Sequence, residues 1–431
     1  MKMVRVAFYL DNSKISNFVD FRTISQGNPG LGGTEYMISL VSSVLAERGN
    51  VEVALCTTRP ACFINKLNHV ICEDIEKASA WVSKNDYDYL VVGNRFISPK
   101  IVKKYSRVKY IIWAHNLVVY REIREYAMLD NVSKFLNVGK EMNDRYRDHK
   151  IFNKSTFIYN IVQVPNAISL ISKSTNNSDN HNVCYVGSII PSKGFHLLAA
   201  CWKEVLKVVP DAQLFVIGSG KLYNENAKLG EYGIAEVEYE KSFINYIVDD
   251  EKKLLPSIHF MGIMGVEKYE VLRKCKVGVH SPCSSETFGL VAIEMQICGC
   301  QVTTRRCSGS IDTVYDKENL FSNPDKLGDF VLRILTAKKQ PYEVPVREWI
   351  LQNFSIERVI PKWELFLNDV KNYRDNENDT INNNYRYKKI KEIKRRFLPA
   401  VMLNILPPVD VLLHCYSRFR SFMDKKYIEI F

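Results

Sequence analysis

Ser284-Ser285-Glu286-Thr287-Phe288-Gly289-Leu290-Val291-Ala292-Ile293-Glu294 is the stretch on which the reading of this chain turns. Val277-Gly278-Val279-His280-Ser281 precedes it as a short buried strand. Met295-Gln296-Ile297-Cys298-Gly299 continues it with helical apolar spacing and a glycine at the stop. The local order is strand, tight loop, helix. The first backbone N–H groups of such a helix have no intrahelical partner and carry partial positive charge, so the helix tip is suited to an anion. Gly289 has no Cβ to hold a ligand away from the backbone.

Two carboxylates bracket that tip. Glu286 lies in the loop and Glu294 almost two turns into the predicted helix. At about 1.5 Å of rise per residue they are separated by roughly 10 Å along the axis. A nucleotide sugar has that reach, with ribose at one end, hexose at the other and a diphosphate between. Ionised carboxylates only accept hydrogen bonds, which suits them to paired sugar hydroxyls. Two glutamates so spaced also occur on solvated helix faces, so the spacing alone leaves both readings open.

The surrounding residues decide between them. Glu-x-Phe-Gly-Leu, a second Glu, Cys-Gly, a β-run and Ser-Gly (residues 286–309) resemble the nucleotide-sugar motif of the fourth family of retaining glycosyltransferases, whose fold is GT-B. The resemblance implies that Glu294 holds the ribose hydroxyls and that Glu286 contacts the transferred sugar. It further implies that the amides of Phe288, Gly289 and Leu290 cradle the phosphates.

Composition sets the outer limits. The chain has 431 residues, enough for two domains with full cores, and 46% apolar with 25% charged residues is ordinary for a soluble globular protein. Met1-Lys2-Met3-Val4-Arg5 runs straight into a first strand, so no secretory leader is expected, and no apolar run reaches the ~18 residues of a spanning helix. Eleven cysteines without framework spacing point to a reducing cytoplasm. Cys283, Cys298, Cys300 and Cys307 crowd the motif but lack Cys-x-x-Cys pairing, so they are expected as buried thiols rather than metal ligands. The net charge of +11 points to an acidic partner.

Val4–Leu10 is the first expected strand. The loop after it ends in Gly30-Leu31-Gly32-Gly33-Thr34-Glu35, a helix follows from Tyr36 to Arg48 and stops at Gly49, and the next strand is Val51–Cys56. Gly32-Gly33 lacks the Gly-x-Gly-x-x-Gly register of a dinucleotide site. In the resembled family a Gly-Gly-x-Glu element at this place faces the donor phosphate and the acceptor cleft, which assigns Gly32 and Gly33 to donor binding. Tyr89–Gly93 and Lys109–Asn116 extend the β/α alternation, which implies a parallel sheet with ligands at the carboxyl ends of its strands. His115 sits at such an end. A lone histidine there is usually structural, but the family's Val-x-x-His-Asp/Asn pattern implies an approach to the donor sugar. Asp86-Tyr87-Asp88 spells a metal signature of another glycosyltransferase fold, but it lies at the amino end of a strand and is rejected as a site.

Lys134–Gly139 is a further strand, and Phe157-Ile158-Tyr159-Asn160 resembles the family's Ile-Pro-Asn-Gly at the domain junction. The polar run Ser172–Asn182 reads as linker. Beyond it, Asn182–Ser188 and Pro191-Ser192-Lys193-Gly194 resemble a strand followed by Gly-Arg and Glu-Lys-Gly, whose arginine and lysine neutralise the donor diphosphate. Gly187, Lys193 and Gly194 match, but position 188 is serine. A charge-assisted hydrogen bond contributes about 1.5–3 kcal/mol, so an uncompensated loss costs one to two orders of magnitude in rate. Arg305 and Arg306 are the candidate substitutes. Phe195–Val209 reads as an amphipathic helix, Gln213–Gly220 as a strand into a glycine turn, Lys221–Pro256 as an insertion, and Ile258–Gly262 as the return to the pattern.

Phe354–Val370 resembles the family's last helix, which crosses back to the first domain. Asn372–Asn384 is asparagine-rich, and the tail then turns basic from Arg386 to Arg396 before the apolar Phe397–Leu406. A basic run beside an apolar one is how a protein rests on an anionic membrane surface without spanning it, and a helical hairpin packed on the protein's own surface or a dimer contact is the other reading. Nucleic acid is not expected, since no aromatic platform accompanies the charge.

The expectation is an α/β protein of GT-B type, two Rossmann-like domains facing a cleft, with a basic amphipathic C-terminal tail. The acceptor domain is placed at 1–171, a linker at 172–182, the nucleotide-sugar domain at 183–353, a crossover helix at 354–371 and the linker and tail at 372–431. The resemblance implies a cytoplasmic retaining hexosyltransferase, peripheral on the inner face of the membrane, that takes a nucleotide-diphosphate sugar and a glycan or lipid-linked acceptor in surface polysaccharide or lipopolysaccharide synthesis. No metal or other cofactor is expected, because Lys193 and the helix tip supply the positive charge. The alternatives are a nucleotide-sugar isomerase or epimerase of GT-B architecture and a noncatalytic nucleotide-sugar-binding protein.

Overall fold

The computed structural model describes residues 3–15, 19–163, 180–221, 227–283, 286–337, 343–374, 387–413 and 415–416. The chain divides into two compact units, one of Met1–Arg22, Met37–Tyr159 and Ile360–Phe431, the other of Thr23–Tyr36 and Asn160–Val359.

The first unit is built on seven parallel strands, β1 (Arg5–Leu10), β2 (Glu52–Thr57), β3 (Asn68–Ile71), β4 (Tyr89–Gly93), β5 (Tyr110–Ala114), β6 (Val132–Asn137) and β7 (Ser155–Phe157). Their order is β3-β2-β1-β4-β5-β6-β7. β1, β4 and β5 are buried almost throughout, which is why their sequences read as continuous apolar runs without alternation. Asp88 precedes β4 and its carboxylate accepts the Arg5 backbone N–H at 2.8 Å, a structural duty at the amino end of the sheet. Trp363, from the helix Ile356–Asn368, packs on Trp113 with ring centroids 4.7 Å apart and on Phe8 at 5.9 Å. The buried Lys134 donates to the carbonyls of Lys371 and Tyr373, in the turn that follows that helix.

The second unit carries six parallel strands, β8 (Asn182–Val186), β9 (Gln213–Ile217), β10 (Ile258–Gly262), β11 (Val277–Val279), β12 (Gln301–Arg305) and β13 (Leu320–Phe321), in the order β10-β9-β8-β11-β12-β13. Both sheets therefore reverse direction once, between β1 and β4 and between β8 and β11. In open α/β sheets the crevice at that reversal, outside the carboxyl ends of the strands, receives the ligand. β11 pairs with β8 on one side and β12 on the other, so the loops after all three strands emerge side by side.

Three expectations change. The expected insertion Lys221–Pro256 belongs to the core over its described part. Ile234, Ala235, Tyr239, Phe243 and Ile247 bury against the helix Phe195–Val208, and the Glu240 carboxylate takes the amides of Tyr232, Ile234 and Ala235. Its tyrosines and charges look like surface because only this backbone arrangement satisfies them. The basic tail forms two short helices, Lys388–Phe397 and Ala400–Ile405, with Lys391 and Lys394 turned inward on the first unit rather than outward. Finally, the motif helix begins at Leu290, so Glu294 lies little more than one turn along it. The expected linker lies outside the described residues except for Asn180–Asn182.

Candidate active site

The site in the second unit is assembled by glycines that allow backbone to touch backbone. After β8 the chain passes Gly187 and the buried Ser188, whose hydroxyl donates to the Ser219 carbonyl at 3.3 Å. A tight turn, Pro191–Lys193, ends at Gly194 in the left-handed region, φ 77°. A Cβ on Gly194 would stand 2.5 Å from Cys283 Cβ and 2.7 Å from the Cys283 nitrogen, so only glycine lets this turn lie on the loop after β11. That contact delivers the Lys193 ammonium onto the Glu286 carboxylate.

Glu286 has further company. Ser281 Oγ donates to its Oε1 at 2.7 Å, and His280 Nε2 stands 3.9 Å from the same oxygen. Burial works to raise the Glu286 pKa, but His280, Lys193 and Ser281 outweigh it and bring it down to about 2. Burial also lowers the pKa of His280 itself, so near neutrality Lys193 is the full charge facing the carboxylate, and the imidazolium adds to it only in acid. Ser281 holds a left-handed φ of 38°, a strained conformation at the point where the strand turns into the site.

The loop is clamped from the other side. The Gly309 amide donates to the Glu286 carbonyl at 2.9 Å, Thr313 Oγ1 to the Phe288 carbonyl at 3.1 Å, and a Cβ on Gly309 would strike the Phe288 backbone. Phe288 is buried edge-to-face on Phe354, centroids 5.7 Å apart. Gly289, φ 92°, is the N-cap of the helix Leu290–Ile297. The Ala292 amide donates to the Gly289 carbonyl at 3.0 Å, and helix geometry leaves those of Leu290 and Val291 without a carbonyl one turn back.

Glu294 is buried, not solvated. Its Oε2 accepts from Lys268 Nζ at 2.8 Å and its Oε1 from the Tyr269 hydroxyl at 3.2 Å. Tyr36 joins this cluster: burial and then the charge of Glu294 raise its pKa, and its buried hydroxyl has no hydrogen-bond partner among the described residues. Gly33 groups with the second unit, where a Cβ on it would lie 3.4 Å from Leu290 Cδ1, and a Cβ on Gly32 would meet the Glu35 carboxylate. The second unit thus gathers Lys193, Glu286, Phe288, Gly289, Leu290 and Glu294 with Gly187, Ser188, Gly32 and Gly33. Arg305 ends β12 and its Nη1 donates to the Cys283 carbonyl at 2.8 Å, whereas Arg306 turns to the Lys317 carbonyl. Cys298 and Cys300 are buried, while Cys283 and Cys307 are partly so.

His115 belongs to the first unit. It follows β5 directly, its ring 4.4 Å from that of Trp113, and burial with the charge of Arg95 holds its pKa down at about 3. Beside it opens a cavity of about 470 Å³ lined by Asn94, Arg95, Asn116, Leu117, Val119 and Glu122 among others.

Sequence reasoning passed over His280, Ser281, Lys268 and Tyr269. For His280 a signal existed, since it follows a buried strand just as His115 does. Lys268 and Tyr269 sit 26 and 25 residues from Glu294 and carry no local mark.

Residues 168–347 match the family model for glycosyl transferases group 1. An uncharacterised glycosyltransferase of Methanocaldococcus jannaschii is 28% identical over 255 residues, 58% of this chain and 62% of its own length, so the match spans under two thirds of that relative. Among solved structures, sucrose-phosphate synthase from Thermosynechococcus elongatus superposes with a TM-score of 0.61 at 17% identity, covering 85% of this chain and 99% of that one. HepE of Anabaena, solved with UDP and glucose, gives 0.55 at 15% identity over 85% and 100%. The chain has the fold of the GT-B glycosyltransferases and carries, over residues 168–347, the signature of glycosyl transferases group 1.

Proposed function

We propose that this protein is a retaining glycosyltransferase that moves a hexosyl group from a nucleotide-diphosphate sugar to a glycan or lipid-linked acceptor, in surface polysaccharide or lipopolysaccharide synthesis at the inner face of the cell membrane. The observation that carries the proposal is the meeting of Lys193 and Glu286 at the tip of the helix that bears Glu294. The pair puts a positive and a negative charge within reach of the same ligand. A bound donor separates them, the ammonium turning to the diphosphate and the carboxylate to a sugar hydroxyl.

The other parts follow from their positions. Glu294, fixed by Lys268 and Tyr269, accepts from the ribose hydroxyls. The amides of Phe288, Gly289 and Leu290 and the groups at Gly187 and Ser188 hold the phosphates, with Gly33 leaving room beside Leu290 and Gly32 beside the Glu35 carboxylate. His115, neutral at physiological pH, offers one nitrogen as donor and one as acceptor to the transferred sugar. The departing diphosphate takes the acceptor proton on the face it leaves, Glu286 orienting the sugar without attacking it. Positive charge from Lys193 and the helix tip offsets the charge that develops there, so the scheme assigns no step to a metal.

Thermal-shift screening of nucleotide-diphosphate sugars, beginning with the UDP-glucose class, tests the proposal. A donor that raises Tm in the wild type and not in Glu294→Ala supports it, and anomeric analysis of the product by NMR decides retention. No shift with any donor, or turnover of the donor to an isomer without acceptor, overturns it.

A further inference from the structure

The helix Lys388–Phe397 is amphipathic, and it is mounted with the unexpected side inward. Lys391 is 1% exposed, pairs with Asp410 and donates to the carbonyls of Asp144 and Arg145. One turn on, Lys394 Nζ donates to Asp148 Oδ2 at 2.8 Å and to the Pro407 carbonyl at 2.6 Å, while Asp148 also takes the Val409 amide at 2.9 Å. With its lysines anchored, the helix shows water its apolar side. Ile390, Ile393, Phe397 and Val401 are 54, 58, 72 and 68% exposed, and the first three recur at the three- and four-residue spacing of one helix face. Met402, Ile405 and Leu406 continue the strip. An ordinary surface helix points these residues the other way.

Charge selects the occupant. Beside the strip Lys389 and Arg396 are exposed, while Arg395 turns over the Phe152 ring and Glu392 is the one acidic residue of the helix. A second copy meeting this face across a two-fold axis would set cation against cation, which disfavours self-association. We infer that the outer face of Lys389–Leu406 seats on an anionic lipid bilayer, the apolar strip entering the headgroup boundary and Lys389 and Arg396 resting on lipid phosphates. No described helix is long and apolar enough to cross a membrane, so the hairpin lies on the surface.

The seat also positions a substrate. The Tyr120 hydroxyl donates to the Asn404 carbonyl at 3.2 Å, and the preceding Leu117 and Val119, both exposed, line the cavity beside His115. A bilayer under the hairpin brings the mouth of that cavity to headgroup level, where the polar head of a lipid-linked acceptor reaches Asn94, Arg95 and Asn116 while its chains stay in lipid. Only this last step rests on the transferase reading.

Vesicle co-sedimentation of the full chain tests the docking, with phosphatidylcholine alone and with phosphatidylglycerol added. Wild type is expected to sediment with the anionic vesicles. Ile393→Glu/Phe397→Glu should lose binding more than tenfold, and reversing Lys389 or Arg396 should weaken it about fivefold each. The substituted side chains are all exposed, so an unchanged Tm and an unchanged donor-induced shift show that fold and donor site survive. Wild type that stays in the supernatant overturns the inference. So does equal binding by Ile393→Glu/Phe397→Glu, or a wild-type dimer that this variant dissociates. A failed donor screen with intact vesicle binding would sink the transferase reading and leave the docking standing.

Discussion

Replacing Lys193 by methionine keeps the stem of the side chain and removes the charge that faces Glu286. In the wild type the Glu286 pKa falls from 4.5 to about 2. This depression is achieved against burial, with His280 and Lys193 the largest contributors. Without the ammonium, burial faces the Ser281 hydroxyl and, in acid, the charge of His280, so the Glu286 pKa should rise toward its ordinary value. The sign for stability follows from linkage. A depressed carboxylate pKa gives stability that is present above the unfolded value and is lost as pH falls through the folded one. Between about pH 6 and pH 3 the wild type should therefore lose roughly 2 kcal/mol from this group, and Lys193→Met distinctly less. The assay is a ¹³C NMR titration of the Glu286 carboxyl carbon, paired with urea denaturation at both pH values. Donor affinity should fall about 10- to 100-fold with the lost charge-assisted contact. If Glu286 titrates at the same pH in both proteins, the pairing does not set its ionisation and the account of the Lys193–Glu286 pair is wrong.

Further outcomes follow from single contacts. Glu294→Ala should abolish the donor-induced thermal shift and also lower stability by about 3–5 kcal/mol, because it leaves Lys268 buried without its anion; Glu294→Ala with Lys268→Met should recover much of the stability and none of the shift. Arg305→Met should weaken donor binding about tenfold and Arg306→Met should not, since only Arg305 reaches the loop after β11; equal affinities, read by calorimetry, would remove Arg305 as the stand-in for the arginine that Ser188 replaces. Gly309→Ala should cost about 1–3 kcal/mol in urea denaturation and loosen the Glu286 loop, because its Cβ meets Phe288 backbone rather than a flexible side chain. His115 should add no limb to the pH–rate profile between about pH 5 and 8, its folded pKa being about 3, and it should cost stability as pH falls below the unfolded value near 6.5, where only the unfolded imidazole binds a proton; His115→Gln should flatten that part of the stability profile.

How far these features could be read beforehand depended on the range of the interaction responsible. The strand Val277–Val279, the glycine-capped helix and its stop at Gly299 follow from period and turn chemistry within some 20 residues, and that local signal is strong. The parallel sheets were legible for the same reason, since strands buried on both faces leave unbroken apolar runs, whereas the short edge strands β3 and β7 leave none. The Lys193–Glu286 pair spans 93 residues, and the resemblance placed both residues at the site while giving each to the ligand. That they also pair with one another is a matter of geometry, set by Gly194 against Cys283, on which a motif is silent.

The tail shows the same limit more sharply. A period of 3.6 establishes that Lys388–Phe397 has a charged side and an apolar side, but not which of them faces the protein. Burying two ammonium groups is costly unless each finds an anion and enough acceptors. Asp148 and Asp410 supply the anions here, and the carbonyls of Asp144, Arg145 and Pro407 supply the rest. Asp148 is 246 residues from Lys394. The choice of face was therefore made by acids contributed from elsewhere, and removing them should reverse the preference. Asp148→Asn with Asp410→Asn leaves Lys391 and Lys394 buried without counter-charge, so the hairpin should detach or turn over. Hydrogen exchange in the helix Lys388–Phe397 would rise by orders of magnitude while the sheet of the first unit stayed protected. Unchanged protection in that helix would mean that the buried Val409 and the hydrogen bonds of Asn404 with Tyr120 and Arg124 hold the hairpin and that the lysines face inward for some other reason.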